Sequence, residues 1–418
     1  MVFANCNYQL SIYFFLRWPT FATHSKTMAI VTLASLLDND FYKFTMQQCV
    51  VKLFPKAKAR YRFINRGHHS FPPGFADALK ASVASMAGLA LSKEEKEWLV
   101  QTCPYLDPVY LDFLQGYHYD PAEVSIEQKG GEVEVFIEGY WYRTILWEVP
   151  ILCLISENFY RLQNLHREGN EEVVQKTKNK IEAYGRLGVT IAEFGTRRRH
   201  SFEVQNEVVR SLKKWGKTFV GTSNVHLARV YGTKPIGTHA HEWFMFHAAK
   251  YGFKMANTLA LEHWTDIYRG DLGIALSDTF TTSEFYEVFD KKFAKLFDGV
   301  RHDSGSPTDF AQKTIDHYKS FGIDPLSKTI IFSDSLNYEK VKAIADYCQG
   351  KIGISFGIGT NFTNDVGLAP MNIVMKMTEA LPEGEVWTPV VKLSDEPAKY
   401  TGDPQMIELA KKVLKIEL

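Results

Sequence analysis

The residues able to do chemistry cluster in a few short stretches. His239, His241 and Glu242 lie within one tetrad. Three readings suit that pattern. A His-x-His at a strand end can hold a divalent ion, provided other strands add ligands such as His302 or nearby aspartates. An imidazole oriented by a carboxylate can serve as acid, base or phosphoryl acceptor. A packed, hydrogen-bonded histidine does neither. Arg197, Arg198, Arg199 and Arg301 supply planar forks suited to phosphate. Gly357, Gly359 and Thr360 make a Gly-x-Gly-Thr turn whose N–H groups can approach an anion. Asp278, Asp303 and Asp334 can take a sugar hydroxyl or a Mg²⁺ that bridges to phosphates. Each feature is weak alone; together they point to phosphate chemistry.

Positioning these groups requires a repeated scaffold. Short apolar runs end in small or polar residues at Val189–Gly195, Thr218–Gly221, Pro235–Gly237, Gly273–Ser277, Phe297–Arg301, Thr329–Ser333 and Lys351–Phe356. Helical stretches follow them, some with caps such as Ser201. Repeated strand–helix units imply parallel strands joined by crossovers. Seven or so units predict a closed or nearly closed barrel, with an open doubly wound sheet as the alternative. In such barrels the site lies at the C-terminal strand ends, where all the residues above fall. Upstream, the spacing predicts a helix over 33–54, a strand over 57–65, several helices and a hairpin of 124–128 with 133–138.

The chain has 418 residues, 45% hydrophobic and 23% charged, enough for a large core. Lys+Arg and Asp+Glu are 48 each, so a surface devoted to nucleic acid or anionic membrane is not expected. The apolar runs are too short to span a membrane as a helix. Five widely spaced cysteines without a C-x-x-C argue against a disulfide framework and a thiolate zinc site, and fit a reducing cytoplasm. Residues 1–27 read differently: no Lys or Arg precedes the apolar stretch from Leu10, unlike a signal peptide. Met28 is the expected start, and the leader an artefact of the assigned start; a targeting segment and a short ordered extension are the alternatives. The expected divisions are a leader (1–27), an N-terminal α+β domain (28–165), an α/β barrel (166–370) and a C-terminal segment (371–418) packing back on the N-terminal domain.

Seven motifs in order then carry a resemblance. They are Leu-Leu-Asp-Asn-Asp-Phe-Tyr-Lys (36–43), Glu-Phe-Gly-Thr-Arg-Arg-Arg (193–199), Gly-Thr-Ser-Asn (221–224), Lys-Pro-Ile-Gly-Thr-His-Ala-His-Glu-Trp (234–243), Arg-His-Asp-Ser-Gly-Ser-Pro (301–307), Ser-Asp-Ser-Leu-Asn (333–337) and Phe-Gly-Ile-Gly-Thr-Asn-Phe-Thr-Asn-Asp (356–365). From about Ala34 to Asp403 the chain resembles the nicotinate phosphoribosyltransferases. The resemblance implies an irregular (β/α) barrel of about seven parallel strands with an N-terminal α+β domain, the type II phosphoribosyltransferase architecture. It implies transfer of phosphoribosyl from phosphoribosyl pyrophosphate to nicotinate in NAD salvage. It also implies coupling to ATP and Mg²⁺ through a phosphohistidine, and a cytoplasmic homodimer.

Residue by residue, the resemblance makes His241 the phosphorylated histidine and Asp278 the carboxylate that orients it. Tyr42 and Phe194 become the aromatic pair about the pyridine ring. Arg197 would meet the nicotinate carboxylate or a nearby phosphate. Ser223, with Thr222 beside it as a further substrate contact, would donate to that carboxylate, where relatives preferring nicotinamide carry Asp. Arg301 and Asp303 would contact ribose and phosphate, Gly357, Gly359 and Thr360 would cradle the 5′-phosphate, and Arg66 would reach pyrophosphate from the partner subunit. His302 departs from the family pattern, and the leader has no counterpart in it. The competing readings are a nicotinamide-preferring transferase, a metal-dependent hydrolase built on His239 and His241, and a non-catalytic metabolite binder.

Overall fold

Alternating and continuous apolar runs sort the chain into two sheets. The computed structural model describes residues 30–416; the expected leader lies outside them. The strands are β1 (Lys58–Asn65), β2 (Val124–Lys129), β3 (Glu132–Tyr140), β4 (Thr190–Glu193), β5 (Phe219–Thr222), β6 (Lys234–Pro235), β7 (Arg269–Leu272), β8 (Ile274–Leu276), β9 (Gly299–His302), β10 (Thr329–Phe332), β11 (Gly353–Ile358), β12 (Ile373–Leu381) and β13 (Thr388–Pro389).

Seven of these form a parallel sheet in the order β6-β5-β4-β11-β10-β9-β8. It curls into a half-barrel. Among the described residues no ladder joins β6 to β8; the Thr238 hydroxyl donating to the Ile274 carbonyl (3.0 Å) links those ends instead. The strands read as continuous apolar runs because the sheet is covered on both faces: Ile191, Val300, Ile330, Phe332, Phe356 and Ile358 have no accessible surface. Burying such a side chain contributes about 1.5–3 kcal/mol.

The second sheet is antiparallel, in the order β13-β12-β1-β3-β2. The hairpin β2–β3 turns at Gly130, whose φ of 61° suits glycine. β12, from near the C-terminus, pairs along the whole of β1. The chain after it runs back to the half-barrel, where Lys392, Asp395 and Lys399 reach groups at the strand ends.

One helix starts later than its periodicity predicts: it spans Phe41–Leu53 rather than 33–54. Its upstream residues are recruited by the half-barrel. The Phe41 N–H donates to the Ser223 carbonyl, and the Asn39 and Leu37 carbonyls accept from Val225 and His226. Asp38 holds Arg199 and Asn224 (2.7 Å each). Tertiary bonds therefore take the backbone groups that a longer helix would use. Lys43, buried in this helix, pairs with Glu148 and Glu242 and raises the Glu242–Tyr61 contact to a four-residue network.

Candidate active site

The C-terminal ends of the parallel strands surround a cavity of about 580 Å³. Of the residues expected to bind substrate, Tyr42, Phe194, Arg197, His241, Arg301, Asp303, Gly357, Gly359 and Thr360 line it. Phe194 follows β4; beside it Gly357 lies in β11 and Gly359 follows that strand. A Cβ on Gly357 would stand 3.1 Å from the Phe194 ring, and one on Gly359 3.2 Å from the Phe194 carbonyl. The Gly-x-Gly spacing therefore seats an aromatic ring as well as opening backbone N–H groups to the cavity.

His241 begins the helix His241–Tyr251. Its Nδ1 lies 3.0 Å from Thr279 Oγ1 and its Nε2 3.1 Å from Asp303 Oδ2. Burial, then the charge of Lys392, lowers its pKa to about 4 against the pull of Asp278 and Asp303. The ring is therefore neutral near pH 7. Burial alone would raise the Asp303 pKa, but the hydrogen bond to His241 and the charges of Arg301 and Lys392 hold it well below the usual carboxylate range. Asp303 is thus an anion accepting from Nε2–H, which leaves the Nδ1 lone pair accepting from the Thr279 hydroxyl. Ser333 Oγ fixes the other Asp303 oxygen at 2.8 Å.

In this geometry Asp303 makes the direct hydrogen bond to the ring, and Asp278, expected to orient it, stands farther off. Asp278 Oδ1 stands 3.9 Å from Nε2, because Asp278 Oδ2 is drawn to Ser304 Oγ (2.6 Å) and faces Lys392 (3.8 Å). Asp278 Oδ1 is buried without a hydrogen-bond partner. Donor atoms of His241, Asp278 and Asp303 lie within 4.8 Å of one another.

Other expectations change as well. Ser223 is fully buried and its hydroxyl donates to Asp40 Oδ1 (2.7 Å), so it is not turned to the cavity. Thr222 donates to Glu193 Oε2 (2.5 Å) and is equally enclosed. Arg66 is exposed and lies off the cavity lining, although its charge bears on Arg198 and Lys376, which do line it. Arg199 is no phosphate ligand: Asp38 holds it bidentately (2.7 and 3.0 Å) and Glu157 at 2.7 Å. His239 is packed edge-on against Trp264 and Phe244, with both ring nitrogens unpartnered, and it stands outside the group of donors that His241 forms with Asp278 and Asp303. His302 packs against Phe310 and Phe332. Asp334 pairs with Lys399 at 2.9 Å.

Sequence reasoning missed Lys376 and Lys392. Both line the cavity, yet they come from β12 and the strap after it. Burial and the neighbouring Lys392 charge lower the Lys376 pKa to about 8. The one available signal was a lysine between Met375 and Met377 on a strand whose alternate residues are buried.

The family model described as the nicotinate phosphoribosyltransferase family matches residues 189–418, and that of its N-terminal domain matches 37–156. A nicotinate phosphoribosyltransferase of Chromohalobacter salexigens is 65% identical over 92% of this chain and 99% of its own length. One of Desulforapulum autotrophicum is 47% identical over 92% and 99%. The crystal structure of the Porphyromonas gingivalis nicotinate phosphoribosyltransferase superposes with a TM-score of 0.89 at 44% identity, covering 92% of this chain and all of that one. That from Vibrio cholerae gives 0.87 at 35% identity, covering 94% and 96%. On the extent of the family match and the likeness of fold, the chain belongs to the nicotinate phosphoribosyltransferase family.

Proposed function

We propose that the chain transfers phosphoribosyl from phosphoribosyl pyrophosphate to nicotinate, giving nicotinate mononucleotide and pyrophosphate for NAD salvage. The observation that carries this reading is one cavity holding an aromatic pair, a neutral histidine against a carboxylate, and a Gly-x-Gly-Thr turn. Tyr42 and Phe194 take the pyridine ring. The turn takes the 5′-phosphate. The ring nitrogen attacks ribose C1 as the C1–oxygen bond breaks, and pyrophosphate leaves with the electron pair. That chemistry needs positioning and a stabilised leaving group more than a strong base.

ATP coupling runs through His241. Its Nδ1, released by the Thr279 hydroxyl, attacks the γ-phosphorus; the bond to ADP breaks with the electron pair leaving on ADP, and the Asp303 carboxylate offsets the positive charge that grows on the Nε2–H ring. Thr279 and Asp303 fix the ring for that attack. Asp278 and Asp303 suit Mg²⁺, which favours one or two carboxylates plus phosphate oxygens. The unpartnered Asp278 Oδ1 supports this. Bound there, the ion would offset charge on the phosphates. The chain works in the cytoplasm, which four buried, unpaired cysteines among the described residues support. It works as a homodimer, supported by Phe136 and Tyr140 standing exposed on β3.

The test measures pyrophosphate and nicotinate mononucleotide formation with and without Mg-ATP, for wild type and His241→Ala. ATP stimulation that the variant loses is the expected result. Absence of product under all conditions overturns the transferase reading, and unchanged stimulation in the variant overturns the phosphohistidine.

A further inference from the structure

The three arginines in a row after β4 are not equivalent. Arg199 is buried and fully used by Asp38 and Glu157. Arg197 stands over the Tyr42 ring, 6.0 Å from its centroid, with Glu148 Oε1 at 3.8 Å and Asp40 Oδ2 at 3.9 Å. Two carboxylates already balance it. Arg198 lines the same cavity, half-buried, and among the described residues no carboxylate comes within ion-pair distance of it. Its neighbours are cations: burial, then Arg197 and Arg66, lower its pKa to about 10. A partly buried charge without a counter-ion is costly, and an arriving anion removes that cost.

The local backbone indicates which anion. The Arg198 carbonyl accepts from Asn364 Nδ2 (2.8 Å), and the Asn364 N–H donates to the Thr360 carbonyl (3.0 Å). Arg198 is therefore tied to the turn that begins at Gly359 and Thr360. We propose that Arg198 is the charged partner of the ribose 5′-phosphate, closing over the group cradled by Gly357, Gly359 and Thr360. The inference rests on the transferase reading for its substrate. A guanidinium fork suits the geometry, because it can offer two parallel N–H donors to phosphate oxygens.

The test compares wild type with Arg198→Met and Arg198→Lys. Binding of ribose 5-phosphate and of inorganic pyrophosphate is followed by calorimetry, alongside the KM of each substrate. In Arg198→Met, ribose 5-phosphate should weaken about 10- to 100-fold. Pyrophosphate affinity and the nicotinate KM should stay within about twofold. Arg198→Lys, keeping the charge without the fork, should recover part of the loss. Weakened pyrophosphate with unchanged ribose 5-phosphate overturns the proposal, as does a raised nicotinate KM alone, or no change at all. Should wild type form no product, the reaction fails. The ribose 5-phosphate comparison still decides the role of Arg198.

Discussion

His241 sits between a hydroxyl and a carboxylate, and that asymmetry sets which nitrogen reacts. Replacing Asp303 by Asn lets an amide N–H face Nε2, which favours the tautomer with its proton on Nδ1. The nucleophilic lone pair then points the wrong way. Asp303→Asn should lower ATP-stimulated turnover roughly 10²- to 10⁴-fold, read as initial rates with and without ATP. An undiminished ATP response would place the orienting carboxylate elsewhere. At this scale the sequence was legible where a residue type has one use in a strand-end loop: His241, Phe194 and the Gly357–Thr360 turn all reach the cavity. It was not legible where neighbours compete for a side chain. Asp278 is claimed by Ser304, Ser223 by Asp40, and Arg199 by Asp38, each through contacts distant in sequence. No local pattern announces such partners.

Among elements, the join of β4 to β11 places Phe194 against Gly357. Gly357→Ala forces a methyl group against that ring. The expected cost is about 1–3 kcal/mol of stability, as for other overpacked sites, with a raised nicotinate KM from the displaced ring. Urea denaturation and steady-state kinetics check both; unchanged values would mean the ring yields freely. All seven expected parallel strands occur, within a residue or two of their predicted ends. Continuous apolar runs ending in Gly, Ser or Thr made them visible. The long N-terminal helix was overextended because its period continues through Leu33, Leu36 and Leu37. Those leucines are buried, but outside a helix. Periodicity reports burial, and burial is compatible with more than one backbone.

For the whole molecule, buried neutral histidines link stability to pH. Burial lowers the pKa of His241 and of His200 to about 4, and of His247 to about 3, while His239 falls well below its ordinary value. Between those values and an unfolded value of about 6.5, the unfolded chain takes protons that the folded one refuses. Stability should therefore be flat from about pH 7 to 8 and fall as pH drops below about 6.5. Each such histidine contributes a loss of up to about 1.4 kcal/mol per pH unit. Urea midpoints across that range test the sign; a midpoint that rises on acidification contradicts it. The pairing of β12 with β1 carries a different consequence. The partners are more than three hundred residues apart, and Lys376 and Lys392 arrive with the late strand. During synthesis the first strand must wait, its central edge unpaired, until nearly the whole chain has left the ribosome. A prematurely ended chain can build most of the half-barrel yet holds neither a finished first sheet nor a complete cavity. Translation itself thus withholds the site from every incomplete product.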